Sequence, residues 1–291
     1  SVAARDAASI SVGSYAHKNF NVTYLFKPAA PQKENEPSVV LVHPVGIGLS
    51  SWFWEKMMEG YSDNPNIFAP DLLGCGLDHG ASAWDPDEQG LFFPLSWVEG
   101  IETLINEKVN DEGCTVVVQG GLAPVGFLLA ARNSQKVKRL ILTSPPTHED
   151  TVNAVNEDEL QRNYDVLRSN FPGSFIFRLL EMRSLIKLFS DLFLFEDGCD
   201  DRWLDETQRE IRVEGRTPVQ AFNAGLLEHR GYLDELREIA QPVTIVSGNS
   251  DKRASDREGF RADVMNCELI SLDGCNVLPW ENPMGVRKLI S

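Results

Sequence analysis

The stretch from Thr115 to Pro124 is the part of the chain whose residue types and spacing best fit a chemical site. β-Branched residues run into a glycine pair, Gly120 and Gly121, and an apolar segment follows over residues 125–131. This order predicts a buried strand, a sharp turn and a helix. The turn would present the first backbone N–H groups of the helix, which attract partial negative charge.

The segments around this turn predict the sheet that must position it. Continuous apolar runs, typical of strands buried on both faces, alternate with helical patterns. The predicted strands are Ser38–Val42, Asn66–Pro70, Thr115–Val118, Val137–Leu142 and Pro242–Val246. Helices are predicted over residues 51–58, near residues 257–264 and over residues 281–290. Alternation of this kind predicts an α/β fold with a mostly parallel, doubly wound sheet.

A helical block interrupts the alternation. From about Pro145 to Ala240 the pattern predicts helices only, so we divide the chain into a core (1–144), an inserted helical cap (145–240) and the rest of the core (241–291). Residues 175–195 are rich in Phe and Leu, with charges between them that exclude a membrane span. We expect these helices to pack together, and their surplus apolar face would cover an apolar pocket.

The composition excludes several classes of partner. The chain has 291 residues and a formal net charge of -16. An acidic surface repels phosphate backbones, so we expect no nucleic-acid partner. No apolar run is long enough to cross a bilayer, so we expect no membrane span.

The five cysteines indicate a reducing compartment. They are widely spaced and form no CxxC pair, which argues against a disulfide framework and against a zinc site. We therefore predict neither a metal nor another cofactor. The Ala- and Ser-rich segment Ser1–Ser9 is compatible with the remnant of an organelle transit peptide, or with an arbitrary starting point.

Four further motifs make the chain resemble the α/β-hydrolase fold over nearly its whole length. They are His43–Gly46 for H-G-x-x-G, Asp71–Gly76 for D-x-x-G-x-G, Ser247–Asp251 for G-x-x-D, and Gly274–Pro283 for G-x-H-x-x-x-x-E-x-P. Pro44 replaces the first glycine of its motif. The sequences of the glycine turn in Thr115–Pro124 and of Asn276–Pro279 are similar to those of a cyanobacterial and plastid branch of hydrolase-like proteins, which implies the chloroplast stroma.

The resemblance also implies that the catalytic residues are missing. The family's nucleophile motif, G-x-S-x-G, falls on residues 119–123 and puts Gly121 where the serine stands. Asn276 stands where the family has its histidine, and only Asp251 keeps the acid. Glycine cannot form an acyl intermediate and an amide cannot shuttle a proton, so Ser-His-Asp hydrolysis is not expected. The backbone N–H groups of Leu122 and Val45 would remain as oxyanion donors.

The expected ligand site lies around the glycine turn and the motifs that follow the neighbouring strands. The residues that we expect to contact a ligand are His43, Val45, Gln119, Gly121, Leu122 and Asn276. For His43 the alternative is that it hydrogen-bonds backbone and holds its loop, and Gln119 could equally brace the turn.

Three functions stay open, in this order. The first is a non-catalytic protein that binds a small apolar or amphiphilic molecule, or a protein partner, under the cap. The second is a cofactor-free enzyme of lyase or oxygenase type. The third is a hydrolase with a relocated nucleophile, such as Cys75 or Ser50.

Overall fold

The computed structural model describes residues 9–90, 95–154 and 158–290, so nearly all of the alanine-rich start lies outside the described residues. The strands are β1 Ser11–His17, β2 Phe20–Lys27, β3 Ser38–Val42, β4 Ile67–Pro70, β5 Cys114–Gln119, β6 Val137–Thr143, β7 Val243–Gly248 and β8 Cys267–Leu272. The α-helices are α1 Glu55–Glu59, α2 Pro86–Gln89, α3 Leu95–Lys108, α4 Ala123–Arg132, α5 His148–Val152, α6 Asp158–Arg168, α7 Gly173–Leu180, α8 Arg183–Phe193, α9 Asp201–Glu210, α10 Arg216–Asn223, α11 Leu233–Glu238, α12 Leu278–Glu281 and α13 Pro283–Ile290.

The described strands form one sheet in the order β1-β2-β4-β3-β5-β6-β7-β8. β1 and β2 are antiparallel to their neighbours, and the other pairs are parallel. This confirms the predicted α/β fold class with a mostly parallel sheet. The carboxyl ends of β3 and of β5 to β8 therefore meet at one edge.

Burial of the central strands on both faces explains why they are apolar throughout. Successive side chains of a strand point to opposite faces. On β5, Val116 and Val118 pack into one hydrophobic cluster with Trp97 and Phe127. Val117 packs into a second cluster, on the other face, with Trp52.

Three predicted helices are present, with a different helix type or different bounds. The helix predicted to start at Ser51 begins as a 3₁₀ segment, Ser51–Trp54, and becomes α-helical only at Glu55. The helix predicted over residues 257–264 is a 3₁₀ helix, Ala254–Ala262. The predicted helix over residues 281–290 is separated from α12 at Pro283, because proline has no N–H to continue a helix and favours its first turn.

Between β6 and β7 every regular element of the described residues is helical. α7 and α8 each turn a few side chains inward, including Phe177 and Ile186, and leave large apolar side chains in solvent. The most exposed of these on the two helices are Phe175, Leu188, Leu192 and Phe193. Within the described ranges no helix has the length and apolar character needed to cross a bilayer.

Candidate functional site

A cleft of about 780 Å³ lies between the carboxyl edge of the sheet and the helical segment. We call the strand-end residues that line it the floor: Val45, Gly120, Ser144, Asp251 and Asn276. We call the lining parts of α7, α8 and α10 the roof: Ile176, Phe177, Leu180, Ile186, Phe189, Phe193, Val219 and Phe222. Ligands of open α/β sheets bind at this edge, and a cleft of this size with mainly apolar walls suits a small molecule.

The structure corrects the position predicted for the missing nucleophile by one residue. The strained residue of a strand-to-helix elbow is the one whose side chain projects over the sheet. That residue is Gly120, which follows β5 directly and has a φ of 64°, in the left-handed region. A Cβ built on Gly120 meets no atom within 4 Å, so a side chain there would enter open space.

Gly121 is a glycine for a different reason. A Cβ added to it would lie 2.5 Å from Cζ of Phe222, on α10 of the roof. Glycine at this position therefore allows the roof to approach the sheet closely. With Gly120 at the elbow, the helix-start N–H that follows the nucleophile position belongs to Gly121 rather than to Leu122.

Asn276 is held by Gln119, the residue before the elbow. Nε2 of Gln119 donates to the backbone oxygen of Asn276 at 3.0 Å and to its Oδ1 at 3.3 Å. The hydroxyl of Thr143 donates to Oε1 of Gln119 at 2.7 Å. Gln119 is buried and forms part of the cleft lining, so it braces the floor and lies at the predicted ligand site. Neither amide can take or give a proton near neutral pH.

Asp251 is paired with a residue that the sequence analysis missed. Nη1 of Arg257 lies 2.7 Å from Oδ2 of Asp251, and both side chains are almost fully buried. The same guanidinium donates to Oγ of Ser247 and to the carbonyl oxygen of Pro145. The carboxylate that would orient a catalytic histidine is instead neutralised by an arginine.

His43 does not contact the cleft as expected, and the alternative expectation holds. Its ring is completely buried, and its Nε2 accepts a hydrogen bond from the N–H of Leu72 at 3.0 Å. An accepting Nε2 carries no proton, so the ring is neutral, and burial lowers its pKa. Nδ1 is 2.9 Å from the carbonyl oxygen of Pro44, to which it can then donate. Val45 does line the cleft, whereas the Leu122 side chain is buried in the core.

Neither relocated nucleophile has the activation that its chemistry requires. Burial raises the pKa of the Cys75 thiol well above its ordinary value, which opposes formation of the reactive thiolate. The hydroxyl of Ser50 is buried, and none of the described residues offers it a hydrogen-bond partner. Among the described residues there is also no cluster of three His, Cys, Asp or Glu side chains that could hold a metal ion.

Ser144 is a second floor residue that the sequence analysis missed. It follows β6 and adopts a left-handed backbone with a φ of 48°, which is rare for a residue with a side chain. Residues in such conformations cluster at ligand sites, where the surrounding structure holds them. Its N–H donates to the carbonyl oxygen of Val246 at 2.7 Å, which fixes the backbone there.

The sequence of this chain is similar to those of known proteins. The sequence model of a family described as "Alpha/beta hydrolase family" matches residues 39–289. The chain belongs to the α/β-hydrolase family. A curated relative, the cis-3-alkyl-4-alkyloxetan-2-one decarboxylase of Shewanella oneidensis, is 31% identical over 114 residues, which cover 38% of this chain and 32% of that protein. The match thus spans about a third of the relative's length.

Solved α/β-hydrolase structures match almost the whole chain. The thioesterase domain from the curacin biosynthetic pathway has a TM-score of 0.71 at 19% identity, covering 97% of this chain and 99% of that one. A haloalkane dehalogenase from Bradyrhizobium elkani has a TM-score of 0.70 at 18% identity, covering 97% of each chain. An enol-lactonase from Burkholderia xenovorans has a TM-score of 0.68 at 13% identity, covering 96% and 98%. At these identities the likeness establishes the fold alone.

Proposed function

We propose that this α/β-hydrolase-family protein is non-catalytic and binds a small apolar or amphiphilic molecule in the cleft between the floor and the roof. The observation that carries the proposal is that the three triad positions on the floor lack the groups, or the free groups, that catalysis needs. The elbow position holds Gly120, Asn276 is bonded to Gln119, and Asp251 is paired with Arg257. At each of the three triad positions the side chain is either absent or engaged by another side chain of the protein.

The cleft itself supports the ligand class. Its roof is formed by aliphatic and aromatic side chains, while the polar lining groups are concentrated at the strand ends. Such a site buries an apolar body and orients it with a few polar contacts. The relative from Shewanella oneidensis is named for an oxetan-2-one that carries two alkyl groups, which is a molecule of this class.

That relative also favours a second candidate, the cofactor-free lyase. It is named as a decarboxylase, and the family's sheet and cleft are present here. Incubation of the protein with a dialkyl oxetan-2-one, followed by measurement of released carbon dioxide, distinguishes the two functions. Release above that of heat-denatured protein would replace the binding proposal with this one.

Binding of a neutral fluorescent apolar dye, N-phenyl-1-naphthylamine, tests the proposed cleft. Ile176→Glu combined with Phe189→Glu puts two charges on roof side chains that line the cleft and already reach solvent. We expect this variant to bind the dye about tenfold more weakly, because an apolar ligand would have to desolvate a carboxylate.

The matched control is Met265→Glu combined with Met284→Glu. Both methionines are exposed and neither lines the cleft. We expect dye affinity equal to that of the unmodified protein. An equal loss in the two double variants, or no loss in either, would place the dye outside the cleft and contradict the proposal.

We also propose a reducing plastid compartment, such as the chloroplast stroma. The support is the sequence resemblance and the five unpaired cysteines. Thiol titration of unfolded protein, purified without reductant, should find every cysteine free, and a protected pair would contradict this location.

A further inference from the structure

Ser144, a floor residue, carries a buried hydroxyl that has no hydrogen-bond partner among the described residues. It is 3% exposed, it lines the cleft, and its Oγ makes no hydrogen bond to any of the described residues. Buried hydroxyl groups are nearly always hydrogen-bonded, because leaving one unpaired is costly. An unpaired hydroxyl in the wall of a ligand-sized cleft therefore indicates a contact that a ligand completes.

The position of Ser144 brings this hydroxyl beside the open elbow. Gln119 on β5 pairs with Thr143 on β6 in the parallel ladder. Gly120 and Ser144 are the next residues of these neighbouring strands, and adjacent strands lie about 4.8 Å apart. Gly120 has no side chain and leaves open space above it. The space beside the hydroxyl is thus available to the ligand.

The charges of the lining select an uncharged head group. Both arginines of the cleft are already paired, Arg257 with Asp251 and Arg253 with Asp150. Glu228, which also lines the cleft, adds a further negative charge. A ligand carboxylate would find no free cation among these lining residues, and burying it unpaired is costly.

We propose that Ser144 donates a hydrogen bond to an uncharged carbonyl oxygen, as in an ester, lactone or ketone, of a ligand whose apolar part contacts the roof. This assignment rests on the proposed function and names its ligand class and its orienting residue. Ser144 acts in binding only, because none of the described hydrogen bonds gives it a base.

The experiment compares methyl decanoate with decanoate at pH 8, each displacing N-phenyl-1-naphthylamine. The two probes share an alkyl chain, and only the ester is uncharged. We expect the ester to bind at least about tenfold more tightly. Ser144→Ala should weaken the ester about tenfold, the loss expected for one buried hydrogen bond. The same change should leave dye and decanoate unaffected.

Ser38→Ala is the matched control. Ser38 is equally buried, its Oγ is also unpaired among the described residues, and it starts β3 at the opposite edge of the sheet. Removing either hydroxyl should affect thermal stability similarly, whereas only Ser144→Ala should change ester affinity.

The outcomes separate this assignment from the proposed function. Ester affinity unchanged in Ser144→Ala, equally reduced in Ser38→Ala, or no better than that of decanoate would overturn the assignment while the cleft remains a binding site. If the unmodified protein binds the dye but not the ester, the head-group assignment is likewise wrong. If it binds neither the dye nor either probe, the proposed function fails as well.

Discussion

The floor and the roof of the cleft differ in how their side chains are engaged. On the floor, Asp251 and Asn276 each have a hydrogen-bonding partner within the protein, and both partners are buried. On the roof, Ile176, Phe189 and Phe193 line the cleft and are also exposed to solvent. Asp251 and Asn276 are thus engaged within the protein, while the Ser144 hydroxyl of the floor and the apolar surface of the roof stay available to a ligand.

This difference predicts opposite responses to mutation. Removing one member of a buried polar pair leaves its partner unpaired in a low-dielectric environment, which is among the most destabilising single changes. Changing a partly exposed roof side chain costs little folding energy but alters the surface that a ligand contacts. Three predictions test this comparison, from the largest expected effect to the smallest.

Arg257→Ala should give the largest effect, a loss of about 3–5 kcal/mol in the free energy of unfolding, because it leaves the Asp251 carboxylate buried and uncompensated. Urea unfolding measures it. Arg261→Ala is the control, since this exposed arginine of the same 3₁₀ helix pairs with exposed Glu258 and should cost less than about 1 kcal/mol. The double variant Asp251→Ala with Arg257→Ala should lose much less than the sum of the single losses, and simple additivity would contradict a structural pair.

Glu210 connects the helical segment between β6 and β7 to Leu77, which follows β4, and should make stability depend on pH. It ends α9, and its Oε1 accepts a hydrogen bond from the N–H of Leu77 at 2.9 Å. Burial, and next the nearby Asp71, raise the pKa of Glu210 to about 7. Its pKa in the unfolded chain is the ordinary 4.5. Between these values the folded state binds the extra proton, so stability falls as pH rises through this range, and the full cost is present above pH 7.

Glu210→Gln should remove this dependence. We expect the variant to be more stable than the unmodified protein by about 3 kcal/mol at pH 8, with the difference vanishing below pH 4.5. Thermal or urea unfolding across that range measures it, with exposed Glu214→Gln as the control. Parallel stability curves for Glu210→Gln and the unmodified protein would mean that the carboxyl is ionised in both states.

The sequence predicted the sheet and the edge at which the site lies, because the evidence for both is local. A continuous apolar run such as Ser38–Val42 has few structural alternatives, and parallel strands bring their carboxyl ends together. The sequence alone could not show which of the two glycines forms the elbow. Gly120 and Gly121 are chemically identical, and only the backbone angle of one and the contact of the other with Phe222 distinguish them.

The other residues whose roles were not predicted have contacts that are distant in sequence, or stand in segments whose composition is typical of a different environment. The buried His43 ring accepts a hydrogen bond from the N–H of Leu72, which is 29 residues further along the chain, so no local pattern reveals this contact. Arg257 stands in a segment dense in charges, which is typical of a solvated surface. Its burial depends on Asp251, Ser247 and Pro145 converging around it. Ser144 carries no motif, and only its backbone angle and unpaired hydroxyl single it out.

The smallest expected effect is the partial restoration of catalysis on the floor. The unmodified protein should neither react with a fluorophosphonate probe nor hydrolyse short nitrophenyl esters. Gly120→Ser would place a hydroxyl in the open space at the elbow, next to the N–H of Gly121, and Asn276→His would supply a base. Because catalytic residues act as a unit, we expect the double variant to label about tenfold faster than either single variant.

Two features keep that gain small. Serine at the left-handed elbow costs on the order of 1–3 kcal/mol of stability, and Arg257 competes with the new histidine for Asp251. Gly121→Ser with Asn276→His is the matched control, because its added side chain meets Phe222 instead of open space. Labelling only of the Gly120 variant supports the corrected elbow position. Labelling only of the Gly121 variant would favour the elbow position first expected from the sequence. If both double variants fold and neither is labelled, the Arg257–Asp251 pair has made the carboxylate unavailable to the new histidine.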